Sequence, residues 1–208
     1  MKKNNLVKTF DFFRVAGNLK KTLRYKSVTK MPKESVADHS WRLALMSFMI
    51  ADELKLKLNL AKAMKIALTH DLAEAITDDI DALLIYKKKI SIESKEKAED
   101  AAMKKLAKIL PRKAGKEITK LWLEYLNHSS PEAKFIYALD KLEALTYLSE
   151  TGHKTYGDAE HADLIPVYAN KAVADFPLLK PVLIILKEKI KKEYKKGGLA
   201  WKKEYDQI

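Results

Sequence analysis

Apolar residues in this chain recur at three- and four-residue spacing, and the strict alternation that marks strands is scarce. The pattern predicts an all-α protein. A first helix is read over about residues 5–22, with Leu6, Phe10 and Phe13 along one side. The segment RYKSVTKMPKE, residues 24–34, breaks the period and contains Pro32, so it reads as a loop. A second helix follows from about Ser35 to Leu54, and a third runs from an Asn59 cap to near Ile76. Residues 77–81 form an acidic turn leading into a short helical piece. A charged helix over about 92–110 carries the pairs Glu93–Lys97 and Asp100–Lys104, and Pro111 stops it. Another helix covers about 114–127. Ser130-Pro131 supplies a cap and a first-turn proline for a long helix to about Glu150. A glycine-containing loop over 151–159 precedes two further helices, the last ended by Gly197-Gly198. No repeat or interdomain linker interrupts the pattern. One domain is expected over 1–208, with a core at about 6–150 and C-terminal helices, about 158–208, packed on it.

Composition changes the picture in two ways. The chain has no cysteine, so disulfides and thiolate metal sites are excluded and His and carboxylates remain as metal ligands. The formal charge of +12 is a property of the ends. Residues 1–30 hold nine Lys/Arg against one acid, residues 187–203 hold eight Lys against two Glu, and 31–186 balance at 23 of each sign. Such ends attract nucleic acid, anionic surfaces or phosphorylated substrates. Without aromatic interleaving or a nucleic-acid motif they read as a solvated face, and nucleic acid is not the expected partner. No run reaches the roughly 18 apolar residues of a membrane span, and the N-terminus lacks a signal-peptide pattern, so the cytoplasm is expected. Trp41, Trp122 and Trp201 read as core or interface residues, and His128, His153 and His161 as structural or solvent-exposed.

Candidate chemistry lies in three helical stretches: ESVADHSWRLALM, KIALTHDLAEAIT and KFIYALDKLEALTYL. They carry His39, the pair His70-Asp71, and Asp140. Two imidazoles and two carboxylates converging from three helices would hold one divalent ion and leave positions open, as hydrolysis requires. Mixed nitrogen and oxygen ligation suits Mn, Fe, Co, Ni or Zn, and Mg less well. Glu74, four residues after His70, is read on the same helix face, placed to orient or deprotonate a water. Asp79 lies at the turn just beyond.

At these residues the chain resembles the HD-domain superfamily of metal-dependent phosphohydrolases. The order H…HD…D is that family's pattern, and the surrounding ESVADHS, HDLAEAITDDI and ALDKLEALTYL look like its 5′-deoxynucleotidases. The similarity spans roughly residues 6–150. It implies a helical bundle with one metal site between core helices, ligated by His39, His70, Asp71 and Asp140, with Glu74 activating water and Asp79 in support. An Arg and an aromatic fifteen residues before the first motif His also belong to the pattern. Here they are Arg24 and Tyr25, which the resemblance assigns to the substrate phosphate and the sugar. Two positions depart from it: Asp78 stands where Gly is frequent, and Tyr25 where Trp occurs. The expected reaction is removal of the 5′-phosphate from deoxynucleoside monophosphates, and the resemblance also implies a homodimer. Two alternatives stand beside it: an HD phosphohydrolase for a diester, triphosphate or signalling nucleotide, and a non-catalytic nucleic-acid binder using the basic ends.

Overall fold

Helix after helix starts where a short polar side chain can cap it. The computed structural model describes residues 2–28, 30–156 and 160–207. Helix α1 spans Lys2–Ala16 and α2 spans Val36–Glu53. Ser35 and Asp38 form a reciprocal capping box at the start of α2. Asn59 caps α3 (Leu60–Thr69), and Ser91 caps α6 (Ile92–Ile109). Between them lie two short helices, α4 (Glu74–Thr77) and α5 (Ala82–Tyr86). After α7 (Arg112–Leu126), Ser130 caps the long α8 (Pro131–Thr151), whose first residue is the proline. Short α9 (Lys171–Asp175) and α10 (Lys180–Lys196) follow, and a 3-10 turn at Lys203–Asp206 comes after them.

No strand occurs among the described residues. A single antiparallel bridge, Leu23 to Ser35, closes the base of the 24–34 loop. The expected all-α class holds. No described helix is long and apolar enough to cross a membrane.

Helix α8 is the axis of the fold. It packs against α2, α3, α7, α9 and α10. Ala133, Phe135, Ile136, Ala138, Leu139 and Leu142 are all sealed from solvent, which is why this helix is apolar nearly all round. A second cluster joins Phe12 of α1 to Met103 and Leu106 of α6, Trp122 of α7, and Val36 and Leu72.

Several boundaries differ from the sequence reading. The first helix ends at Ala16 and tightens into a 3-10 turn, Gly17–Lys20. Its inward residue is Phe12, whereas Leu6, Phe10 and Phe13 are 57–69% exposed. The third helix stops at Thr69 instead of Ile76. The region after α8 is more broken than two helices, with a π turn (Ile165–Asn170) running into α9. Trp122 is buried and Trp201 stacks edge-on against Tyr194 and Tyr205, but Trp41 is 64% exposed and joins no core. The tip of the 151–159 loop, residues 157–159, and the side chain of His161 lie outside the described residues.

Gly115 marks the closest approach of α6 and α7. A Cβ there would stand 2.3 Å from the carbonyl oxygen of Ala107. Gly to Ala in a helix interior ordinarily stabilises by about 0.5–1 kcal/mol. Here the two helices must part, so Gly115→Ala is expected to destabilise by about 1–3 kcal/mol, read as a lowered denaturation midpoint.

Candidate active site

The break after α3 is made by His70 itself. Its backbone N–H still bonds Ile66 O at 2.9 Å, in helical register. Its ring Nδ1 then takes Ala67 O at 2.8 Å, the carbonyl that a continuing helix offers to Asp71. Beyond it the ladder tightens to three-residue steps: Leu72 to Thr69, Glu74 to Asp71, Ala75 to Leu72. Glu74 therefore does not extend the face of one long helix. It opens the separate helix α4. The turn closes at Asp78, with φ 67 and ψ 163, a backbone region that glycine alone occupies freely. This explains why glycine suits that position. The Asp78 side chain offsets part of the strain by accepting from Asp79 N and pairing with Lys26 at 2.6 Å.

His39 of α2, the His70-Asp71 corner and Asp140 of α8 come together. His39 Nε2 lies 3.3 Å from His70 Nε2, 3.2 Å from Asp140 Oδ1 and 3.8 Å from Asp71 Oδ2. His70 Nε2 lies 3.0 Å from Asp71 Oδ2 and 4.0 Å from Asp140 Oδ1. Donors bound at about 2 Å to one first-row ion stand roughly 3–4 Å apart, so His39, His70 and Asp71 fit a divalent cation, and Asp140 Oδ1 approaches the same two imidazoles from α8.

The surroundings of the cluster orient its donors. Each imidazole uses Nδ1 on an acceptor, His70 on Ala67 O and His39 on the Glu143 carboxylate. Both Nε2 lone pairs are thereby left facing the cluster. Asp140 Oδ2 accepts from Tyr125 Oη at 2.7 Å and Lys141 Nζ at 2.6 Å, which leaves Oδ1 for the centre. Burial alone would raise the Asp140 carboxyl, but Lys141 and the two histidines hold it well below the usual range. Burial and Arg24 disfavour the His39 imidazolium, yet Glu143 and Asp140 lift it to about 9. The centre attracts positive charge, as a cation site must.

Glu74 and Asp79 stand beside these donors. Glu74 Oε2 and Asp79 Oδ2 are buried and have no hydrogen-bond partner. Burial, then the charges of Asp71 and Asp79, raise Glu74 well above the ordinary carboxyl range. Burial, with Asp71 and Asp81, lifts Asp79 to about 6. Lys95 of α6 approaches Glu74 Oε1 to 3.7 Å.

Arg24 and Tyr25 also reach the site. Arg24 NH1 lies 3.2 Å from Glu34 Oε2 and 3.3 Å from Glu143 Oε2. Tyr25, at φ 56, stacks on Tyr147 of α8 with ring centres 5.2 Å apart. All but His39 of the eight residues singled out in the sequence line one cleft of ≈ 450 Å³, and His39 is fully buried against His70 and Asp140. A larger, more open groove of ≈ 810 Å³ between α6 and α7 holds no comparable cluster.

Sequence reasoning passed over Lys95, Tyr125, Lys141 and Glu143. Glu143 shares a helix face with Asp140, three residues before it, but its contact with His39 comes from across the fold. Tyr125 and Lys95 carried no signal: one looked like core and the other like a solvated charge. His128, read as structural or solvent-exposed, follows the end of α7 and lines the cleft, its ring 3.8 Å from that of Tyr137.

Fold and site together define a class: an all-helical bundle with a His–His-Asp–Asp centre. The chain belongs to the HD-domain family, whose model, described as HD domain, matches residues 16–176. Among curated proteins, 5′-deoxynucleotidase HDDC2 of Homo sapiens is 38% identical over 154 residues, 72% of this chain and 69% of that one. The Xenopus laevis protein of the same name is 33% identical over 187 residues, 79% and 89% of the two chains. Among solved structures, a predicted metal-dependent phosphohydrolase from Magnetospirillum magnetotacticum has the same fold (TM-score 0.73, 23% identity, 95% of this chain and all of that one). A conserved hypothetical protein from Pyrococcus furiosus matches at TM-score 0.64 and 27% identity, over 88% and 99%.

The raised Asp79 carboxyl has a consequence for stability. A carboxyl whose folded pKa exceeds its unfolded value near 3.9 favours the fold at low pH and loses that contribution as pH rises through about 6. In metal-free protein Asp79→Asn should therefore stabilise by about 1–3 kcal/mol at pH 7, and the gain should vanish below about pH 4. Thermal melts of chelator-treated protein across this range check it.

Proposed function

We propose that this protein is a metal-dependent phosphohydrolase that removes the 5′-phosphate from deoxynucleoside monophosphates. The observation that carries the reading is the convergence of His39, His70, Asp71 and Asp140 beside two buried, unpartnered carboxylate oxygens. The names of the relatives support the substrate class. One divalent ion is assigned to the four donors, from among Mn, Co, Fe, Ni, Zn and Mg. When bound it supplies Lewis-acid stabilisation of phosphoryl charge.

The chain's own groups divide the remaining work. Glu74 Oε2 orients a water and takes its proton as the water oxygen bonds to phosphorus. Its raised proton affinity suits it to take that proton and then pass it on to O5′ as the P–O5′ bond breaks, so the nucleoside leaves as the alcohol. Asp79 holds the same water from the adjoining turn. Arg24, kept in place by Glu34 and Glu143, meets the phosphate oxygens and neutralises the charge that builds on them. Tyr25, braced by Tyr147, packs against the sugar. The basic N-terminal segment draws the dianionic substrate in, an attraction that salt weakens.

Our reading includes a cytoplasmic homodimer. The outward stripe of α1 (Leu6, Val7, Phe10 and Phe13, each more than half exposed) supports self-association. Phe10→Glu with Phe13→Glu should convert the dimer to a monomer in light scattering. A wild-type monomer at micromolar concentration removes the dimer from the reading.

A nucleotide panel with phosphate detection tests the activity. Phosphate release from 5′-deoxynucleoside monophosphates, and not from 3′-monophosphates, is the expected result. Activity confined to diesters or triphosphates sinks the assignment. Asp71→Ala should lose ion and turnover together. Glu74→Gln should keep the ion and lose about 10²–10⁴-fold in kcat.

A further inference from the structure

Asp140 has a companion on α8 that touches both a metal-site histidine and the phosphate-site arginine. Glu143 lies three residues on, and its side chain is wholly buried. Its Oε2 accepts from His39 Nδ1 and stands 3.3 Å from Arg24 NH1. Its Oε1 takes Arg42 Nε at 2.5 Å. Glu34 closes the ring, 3.2 Å from Arg24 and 3.1 Å from Arg42. Burial pushes the Glu143 carboxyl up, but His39, Arg24 and Arg42 together hold it down at about 2.

Glu34, His39 and Glu143 have donor atoms close enough to hold an ion of their own. Two observations argue against that use. Arg24 and Arg42 already neutralise both carboxylates, and His39 Nδ1 faces a carboxylate as a donor. The network is structural support reaching two functional groups, and one oxygen, Oε2, touches both.

We propose that Glu143 is a positioning residue that couples the ion to the phosphate, its Oε2 fixing the His39 ring and the Arg24 guanidinium together. His39 presents Nε2 to the centre because Nδ1 is engaged. Arg24 sits in a loop, so the direction of its guanidinium depends on Glu143 and Glu34. Displacing the carboxylate disturbs both at once. The inference rests on the metal-dependent reading above.

The test uses the full chain stripped of metal, titrated with Mn²⁺ or Co²⁺ by calorimetry, followed by steady-state kinetics. Glu143→Gln is expected to weaken ion binding about 10–100-fold and to raise KM more than it lowers kcat. In a double-mutant cycle on KM with Arg24→Ala, the two changes should be non-additive. Arg42→Met, which leaves the His39–Glu143–Arg24 contacts in place, should lower the melting temperature while changing ion affinity less than about threefold. If Glu143→Gln does not fold, Glu143→Asp, which keeps the charge but shortens the reach, should show the same two losses in smaller measure. Folded Glu143→Gln or Glu143→Asp with wild-type ion affinity and KM overturns the proposal. So does an Arg42→Met that loses both as severely. Wild-type protein that takes up neither ion overturns the functional reading as well, and so is told apart from failure of this proposal alone.

Discussion

Two carboxylates on one buried helix govern this structure. Asp140 and Glu143 sit one turn apart on α8, at 5% and 0% exposure, inside the most apolar part of the fold. An uncompensated carboxylate there costs several kcal/mol. Each must be met by cations and donors, and no single element supplies them. Asp140 draws Tyr125 from α7 and Lys141 from its own helix. Glu143 draws His39 and Arg42 from α2 and Arg24 from the loop before it. The arrangement of α2, the 24–34 loop and α7 around α8 is thus set by charge as much as by packing. The centre forms where those demands meet.

The acidic side of the cleft is left less well compensated. Asp71, Glu74 and Asp79 face one another, with Lys95 Nζ 3.7 Å from Glu74. Two of their oxygens lack partners. Beside a fully satisfied network, this local deficit is the signature of a site kept ready for a ligand at some cost in stability. Asp78 adds backbone strain at the same turn.

Most of the fold was legible because its signals are local. Capping residues Ser35, Asn59 and Ser130 mark helix starts by a hydrogen bond to the next turn, and periodic apolar residues mark the bodies. The four ligand-type residues were legible for a different reason: His and Asp in apolar helical text are conspicuous. What escaped depended on contacts distant in sequence. The early stop of α3 turns on a side-chain bond from His70 to Ala67, invisible to periodicity. The orientation of α1 turns on which of its two apolar faces finds α6, and Phe12 wins over the longer Leu6–Phe10–Phe13 stripe. Glu143 looked like one more helical glutamate until His39, over a hundred residues away, was placed against it.

The way the centre is sunk into the bundle also constrains time. Side-chain exposure falls from 24% at Asp71 to 8% at Asp140, 1% at His70 and none at His39. The exposed donor, Asp71, opens onto the cleft, the side on which a nucleotide would rest. Ion and nucleotide then share one doorway. Under the proposed function, a nucleotide resting in that cleft would cover the donors, and exchange of the ion beneath it would wait on the nucleotide's departure.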